Sequence, residues 1–578
     1  MFIPTTKNEV QKIGWDALDV ILVSGDSYID SPYVGTAIIG KILMKAGFRV
    51  GIIAQPDIKS EKDITRLGEP ELFWGVSGGC IDSMVANYTA LKKFRKSDDY
   101  TPGGMNNRRP DRAVLAYSNL IRRYFKNTAP IVLGGVEASL RRVAHYDYWS
   151  NKIRRSILFD AKADYLVYGM AERAVVELAE SLSRNKSAEK VRGICFISKE
   201  KNENFIELPS YEEVSKDKNK FSEMFLAFSK NNDPQSAKGL VQKHDKRYLI
   251  HNPPAKYLTT EELDAVYDLG FERSQSPYYE KSGKVKALET IKFSISTHRG
   301  CYGQCSFCSI AVHEGATVRC RSEESIIREA LEIISLPDFK GYINDVGGPT
   351  ANMYGCECEK KINTGICNEK NCLTPVICPQ MNTNHNRQIL LLEKLRKLPG
   401  VKKVFVASGI RYDMIFSDKI SGEKYLWEIV EHHVSGQMKI APEHTEGKIL
   451  KLMNKPDKDI LIRFRKEFYK ITKAVGKNQF LTFYLIAAHP GCTEKDMKDL
   501  KEFMNNVMKI QPEQVQIFTP LPSTLSALMY YTEQNPLTGE ELFVEKDGNR
   551  KDKQKKIVTE KKRFITHGTH EKTRKNYK

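Results

Sequence analysis

Three cysteines stand close together near the middle of the chain, at Cys301, Cys305 and Cys308. Their spacing is C-x3-C-x2-C, on a loop that also contains Gly300 and Gly303. Iron–sulfur clusters of the 4Fe–4S type usually take four cysteines, so three thiolates leave one iron with an open position. A structural zinc normally takes four ligands in paired spacing, and a lone buried cysteine is usually packing. The pattern therefore predicts a cluster that can bind a further ligand.

Five more cysteines lie within 23 residues, in a segment rich in glycine, asparagine and proline that predicts a loop. They are Cys356, Cys358, Cys367, Cys372 and Cys378. Four of the five could hold zinc or an auxiliary 4Fe–4S cluster, since soft thiolates suit both. The alternative is a loop without metal. The sequence does not choose between zinc and a cluster, and the remaining cysteines are scattered and predicted to be packing residues.

The length and composition place the chain among globular proteins of several domains. It has 578 residues, of which 41% are hydrophobic. The first residues show no basic stretch followed by an apolar run, and no apolar segment is long enough to cross a bilayer. We therefore expect a cytoplasmic protein without a membrane partner. In that reducing compartment, clustered cysteines are more typical of metal sites than of disulfides.

The predicted elements alternate between strands and helices, which indicates the α/β class. Residues 1–185 begin with a strand at 19–24, a helix at 37–46 and a strand at 48–54, and this βαβ unit predicts a Rossmann-like parallel sheet. Residues 186–285 are charged and less regular, and are predicted to form a connector.

A second domain is predicted over residues 286–530, with a cysteine-rich insertion at 355–380. Six strands are expected there, at 291–296, 341–346, 403–407, 437–441, 481–487 and 514–519. Strands joined by helices in this way indicate a partial (β/α)6 barrel, in which the active site gathers at the carboxyl ends of the strands. The motifs singled out for function follow such strand ends.

Much of the basic excess is concentrated at the end of the chain. The net charge is +18, and residues 545–578 carry 13 Lys/Arg against 5 Asp/Glu. We define residues 531–578 as a basic C-terminal tail. A solvated tail is one interpretation, and RNA or another anionic partner is the other.

The cluster loop and several longer motifs resemble a known family. The cluster loop reads Thr297-His-Arg-Gly-Cys301-Tyr-Gly-Gln-Cys305-Ser-Phe-Cys308. This sequence resembles the radical S-adenosylmethionine superfamily. Within that superfamily it is similar to the YgiQ family, which typically reads HRGCFGGCSFCAI. Tyr302, Gln304 and Ser309 depart from that text, and none of them is a predicted ligand. The resemblance continues through the segments 248–254, 344–350, 406–413, 440–445, 488–493 and 518–524.

The resemblance implies a mechanism and cofactors. In the superfamily, S-adenosylmethionine chelates the open iron, and an electron from the reduced cluster cleaves it to methionine and a 5′-deoxyadenosyl radical. That radical abstracts hydrogen from a substrate, which the resemblance does not identify. A one-electron donor such as flavodoxin or ferredoxin is implied as a partner. The competing hypothesis is a metal-stabilised protein that binds or modifies RNA.

Residues at the strand ends are predicted to contact the cofactor. Phe307 would shield the cluster, and the pair Gly347 and Gly348 would meet the amino group of S-adenosylmethionine. The other predicted contacts are Ser408, Arg411 and Glu443.

The N-terminal domain is similar to cobalamin-binding domains that often precede such barrels. It lacks the Asp-x-His-x-x-Gly motif that usually ligates cobalt. The alternatives are a binding mode without histidine and a domain that only covers the barrel, and we expect no cobalamin.

Overall fold

A computed structural model describes residues 1–367 and 371–560, and the first half of these is built around one large sheet. Nine strands of the described residues form it. The parallel strands are Val20–Ser24, Val50–Ala54, Phe73–Ser77, Ile131–Gly134 and Tyr165–Val167. Numbered along the chain, they lie in the order 2-1-3-4-5, which is that of a doubly wound sheet. The predicted α/β class is thus confirmed, with a large and mostly parallel sheet.

Helices cover both faces of this sheet because its parallel strands are largely apolar. The strand Val20–Ser24 is buried at every position. Helix Ala113–Tyr124 packs on one face, and helices Gly35–Lys45 and Glu172–Ser183 pack on the other. Other helices of this half are Lys7–Lys12, Ser83–Asn87, Gly135–Ser139, Ile157–Ala161, Tyr211–Val214, Lys218–Lys230, Thr260–Tyr267, Pro277–Glu280 and Ala287–Ile291.

The segment interpreted from the sequence as a connector extends the same sheet. Within residues 186–285, the strands Ile194–Ser198, Ile206–Leu208, Leu240–His244 and Arg247–His251 pair with one another and with strand Tyr165–Val167. Polar residues on these strands are buried and form hydrogen bonds with residues that are distant in the sequence. Gln242, for example, accepts a hydrogen bond from the Ala144 N–H at 3.0 Å. The sheet therefore continues well beyond residue 185.

All six strands predicted for the second half are present in the described chain. They are Ser294–Ser296, a strand interrupted at 344 (Tyr342–Ile343 and Asp345–Gly347), Lys403–Val404, Gln437–Glu443, Phe480–Ala487 and Val515–Ile517. The first three pair in parallel with one another, and so do the last three. Their carboxyl ends therefore point the same way within each group.

Helices connect these strands and cover their outer side. They are Ile310–His313, Glu323–Ser335, Glu359–Thr364, Asn386–Arg396, Tyr412–Ser417, Gly422–Glu428, Gly447–Met453, Lys458–Ala474, Glu494–Asn506 and Leu525–Thr532, with a π-helical turn at Ile429–His433. One apolar core joins strands and helices of this half.

The described part of the predicted C-terminal tail packs against the rest of the protein. Helix Gly548–Thr559 packs against helix Glu494–Asn506, and its Gln554 is fully buried. The Gln554 amide accepts from the Ala488 N–H at 3.0 Å and donates to the Cys492 carbonyl at 3.3 Å. Residues 561–578 lie outside the described residues, so the anionic partner predicted for them stays a prediction.

No helix in 1–367 or 371–560 is both long enough and apolar enough to cross a bilayer.

Candidate active site

The predicted cluster loop follows strand Ser294–Ser296 and brings its three thiols together. A Cβ placed on Gly303 would lie 3.2 Å from Cys301 Sγ and 3.6 Å from Cys305 Sγ, so both sulfurs face the same small space. The Gly303 N–H donates to Cys301 Sγ at 3.3 Å. Cys308 lies close enough for the other two thiols to act on its pKa.

Burial favours the protonated thiols of Cys301 and Cys308 until a cation binds. It raises the pKa of Cys308 to about 12, with the thiols of Cys305 and Cys301 adding to the effect. Burial likewise raises the pKa of Cys301. Since metals bind the thiolate, their binding here would release protons. The chemistry of this donor set therefore fits iron, which stabilises the deprotonated sulfur.

The glycine pair Gly347–Gly348 ends the neighbouring strand, directly across from the start of the loop. The Thr297 N–H and hydroxyl both donate to the Gly347 carbonyl, at 2.7 and 3.1 Å. A Cβ on Gly348 would lie 2.7 Å from the imidazole ring of His298. Burial lowers the pKa of His298 to about 4, so the ring is neutral at neutral pH. Only glycine leaves this surface open next to the loop.

Arg411 faces the cluster thiols from the loop after the third strand. Its Nε donates to Asp413 at 2.8 Å and its Nη2 bonds the same carboxylate. Its Nη1 is buried and without a hydrogen-bond partner in the described chain. That atom lies 3.5 Å from the Cβ position of Gly303. A buried guanidinium N–H without a partner is costly, which indicates that a bound group accepts from it.

Ser408 and Glu443 have partners within the protein. The Ser408 hydroxyl donates to Asp345, which also accepts from the Ser408 N–H at 3.1 Å. Glu443 is buried, lies 3.7 Å from Lys455 and has a positive φ of 67°. The strand pairing shifts register just before it. Such a backbone outlier at a strand end is typical of functional sites.

Phe307 is partly buried and packs against the cores of both halves. It precedes Cys308 in the chain, and its role as a shield of the cluster stays a prediction.

A cavity of about 520 Å³ lies between the two halves. Its lining on one side includes Ser77, Gly134 and Glu172, at or after the carboxyl ends of the first sheet's strands. On the other side it includes His298, Gly347, Gly348 and Ser408. Doubly wound sheets bind ligands at this end. The cavity thus brings three of the predicted cofactor contacts, Gly347, Gly348 and Ser408, next to the N-terminal half, whereas Phe307, Arg411 and Glu443 do not line it.

Sequence reasoning missed the contribution of the N-terminal half to this cavity. A buried ion pair between Arg299 and Glu172 connects the cluster loop to helix Glu172–Ser183. Among the described residues, three buried atoms of the lining have no hydrogen-bond partner: Glu172 Oε2, His298 Nε2 and His313 Nδ1. His298 belongs to the motif that predicts the cluster loop. The spacing of that motif does not mark His298 as a functional residue.

Four of the five cysteines in the second group line the same pocket, and the fifth lies apart from them. Cys358, Cys367, Cys372 and Cys378 line a small pocket. Cys356 does not line it; it is fully buried and its thiol donates to the Asn352 carbonyl at 3.7 Å.

The chain is similar to known proteins over nearly its whole length. The Radical SAM N-terminal family model matches residues 2–294. A UPF0313 protein of Fusobacterium nucleatum is 57% identical over 97% of this chain and 99% of its own length. One from Thermotoga maritima is 48% identical over 97% and 99% of the two chains. This chain belongs to the UPF0313 family. The resemblance to YgiQ-like proteins is thereby confirmed, and a radical S-adenosylmethionine type of function follows for this UPF0313 protein.

Two solved structures are also similar to it. The methyltransferase TsrM of Kitasatospora setae, with tryptophan and an S-adenosylmethionine analogue bound, is 13% identical with a TM-score of 0.48, over 87% of this chain and 74% of its own. The cobalamin-dependent enzyme OxsB, with aqua-cobalamin and S-adenosylmethionine bound, is 14% identical with a TM-score of 0.49, over 91% and 57%. The expectation that the UPF0313 chain takes no cobalamin finds no support here and stays a prediction.

Proposed function

We propose that this UPF0313 protein is a radical S-adenosylmethionine enzyme in which Cys301, Cys305 and Cys308 hold a 4Fe–4S cluster with one open iron. The observation that carries the proposal is the placement of three partly buried thiols on one loop, beside a glycine pair and a large cavity. The finer architecture proposed with it is a partial barrel formed by the six parallel strands of residues 286–530.

The residues present fit both groups. Three thiols account for three corner irons, and the partnerless Nη1 of Arg411 supplies a donor next to them. When bound, the cluster and S-adenosylmethionine supply an electron and a 5′-deoxyadenosyl radical, which is chemistry that protein side chains do not provide.

The protein's own part is to bind, orient and exclude water. Gly347 and Gly348 let the amino group of S-adenosylmethionine approach the backbone, because neither carries a side chain. Asp345 is held by the Ser408 hydroxyl and by two backbone N–H groups, so its carboxylate is fixed at the cavity wall. Arg411 is oriented by Asp413 and directs Nη1 at the cluster side.

The cavity also favours a particular class of substrate. Its volume suits a nucleoside-sized cofactor together with a small molecule. Buried polar atoms are normally hydrogen-bonded, so the partnerless atoms of Glu172, His298 and His313 favour a substrate with polar groups. We infer a small polar substrate that enters between the two halves.

Anaerobic turnover of the reconstituted full chain tests the proposal. With a low-potential one-electron donor, S-adenosylmethionine is expected to give 5′-deoxyadenosine and methionine in equal amounts. Failure to cleave it, in a preparation whose cluster is shown to be reduced, would contradict the proposal.

Arg411→Lys is expected to lower the cleavage rate by about a hundredfold, the usual effect of removing one well-placed donor. Lysine keeps the positive charge but cannot hold Asp413 with two atoms while directing a third at the cluster. Iron content should be unchanged, and the loss should appear in kcat or in the affinity for S-adenosylmethionine. Arg328→Lys is the matched control, since Arg328 forms an exposed ion pair with Asp268 at 2.8 Å. Equal rates in both variants would show that Arg411 plays no part.

A further inference from the structure

A second group of thiols converges next to the cluster loop. Cys358, Cys367, Cys372 and Cys378 line one pocket, although they are spread over 21 residues of sequence. The Cys378 N–H donates to the Cys372 carbonyl at 2.9 Å, which holds these two residues side by side. Four cysteines are the usual complete ligand set of a 4Fe–4S cluster and also of a structural zinc. The geometry of the pocket distinguishes the two.

The pocket that these thiols line, together with side chains such as Lys361 and Met381, is larger than the space that one ion takes. The pocket has a volume of about 50 Å³, whereas a single water molecule needs roughly 10–15 Å³ on the same measure. A zinc ion sits about 2.3 Å from each sulfur and leaves no such gap. The volume therefore favours a polynuclear group.

The spacing of the sulfurs leads to the same conclusion. Tetrahedral zinc with bonds of about 2.3 Å holds its sulfurs about 3.8 Å apart. Among the residues that the structure describes, no three cysteine sulfurs lie within 4.8 Å of one another. The same wide spacing holds for the thiols of the cluster loop. The thiols of the pocket are thus spaced more widely than the ligands of a single zinc ion.

A buried ammonium faces this pocket. Lys361 is 2% exposed, and its Nζ donates to the Ala316 carbonyl and, at 3.7 Å, to Cys372 Sγ. Both of these partners are neutral when the thiol is protonated. Buried charges are costly unless they are paired. A cluster ligated by four thiolates is an anion, and its presence would supply the missing countercharge.

The pocket is joined directly to the cluster loop. The Cys358 N–H donates to the Tyr302 hydroxyl at 3.0 Å, and Lys361 Nζ lies 5.2 Å from the centre of the same ring. Tyr302 stands between Cys301 and Cys305 in the chain and is fully buried. Tyr302 therefore connects the two groups of thiols.

We propose that Cys358, Cys367, Cys372 and Cys378 bind a second 4Fe–4S cluster whose four irons are all ligated by the protein. Cys356 is excluded, because it packs against Asn352 outside the pocket. With no open iron, this cluster does not bind S-adenosylmethionine. The site is independent of the function proposed above, and either proposal can fail alone.

Iron and sulfide analysis of the full chain, reconstituted anaerobically with iron, sulfide and zinc together, tests this assignment. A variant with Cys301, Cys305 and Cys308 replaced by alanine is expected to keep about four irons per chain, and the parent about eight. In the same background, Cys372→Ala with Cys378→Ala should remove the remaining iron, whereas Cys356→Ala should not. Zinc in place of iron in the three-alanine variant, or iron retained after loss of Cys372 and Cys378, would overturn the proposal.

Mössbauer spectra of the parent, reconstituted with iron-57, give a second test that needs no variant. Adding S-adenosylmethionine should change the spectrum of one four-iron cluster and leave an equal amount of iron unchanged. A spectrum in which all iron belongs to the cluster that responds would contradict the second site.

Discussion

Replacing Cys301, Cys305 and Cys308 together by alanine is expected to reduce cleavage of S-adenosylmethionine by about a thousandfold or more, to the background rate. The physical reason is that these thiols are the only anchors proposed for the cluster that donates the electron. Alanine leaves the loop without any group that binds iron. The measurement is 5′-deoxyadenosine formed per chain under strong reduction.

Cys195→Ala is the control for this variant. Cys195 is fully buried in strand Ile194–Ser198 of the first sheet, so its replacement changes packing without changing the cluster loop. It should cleave S-adenosylmethionine like the parent. Cleavage retained in the three-alanine variant would mean that the radical chemistry begins elsewhere, including at the second cysteine pocket.

Gly348→Val is expected to weaken binding of S-adenosylmethionine at least tenfold, with a matching loss of cleavage at low cofactor concentration. Even the Cβ would come within 2.7 Å of the His298 ring, which is itself fully buried and cannot move away freely. The branched side chain would also enter the cavity. The affinity is measured from the change in the spectrum of the reduced cluster as cofactor is added.

The matched pair Gly348→Ala and Gly409→Ala isolates the steric effect. A Cβ on Gly409 meets nothing within 4 Å, so this variant should bind like the parent. The alanine at 348 should bind less tightly than the parent and more tightly than valine. If both alanine variants bind equally, the amino group of the cofactor lies away from Gly348.

The strands of the second half could be predicted because each is a short apolar run between clear helical patterns. Strand Phe480–Ala487, for example, alternates exposed and buried residues along its length. The structure differs from those predictions at the strand ends, by one to three residues. Phe480 is added to the fifth strand, and the third ends at Val404. Such ends are set by local pairing, which sequence periodicity does not record.

The extension of the first sheet could not be predicted in the same way. Its strands carry Lys243, Arg247 and the buried polar residues Gln242 and His251. These polar residues are tolerated because of distant partners: Arg142 Nε lies 3.0 Å from His251 Nε2, 109 residues away. Read locally, the sequence shows only a charged segment, and it therefore predicts a connector.

The candidate site was predictable where its residues share one motif and not where they come from different domains. The spacing of Cys301, Cys305 and Cys308 indicates the cluster by itself. The ion pair of Arg299 with Glu172 and the shared cavity arise only when the two halves pack together. The separation of Cys356 from the other four cysteines likewise depends on the packing around Asn352.

Electron–nuclear double resonance of the reduced full chain, with S-adenosylmethionine labelled with nitrogen-15 at its amino group, tests the central claim most directly. The account predicts a hyperfine coupling between the cluster and the labelled nitrogen, because the amino group binds the open iron. The coupling should be absent when Cys301, Cys305 and Cys308 are replaced by alanine, even though the second cluster remains. A reduced parent cluster that shows no coupling at saturating cofactor would contradict it.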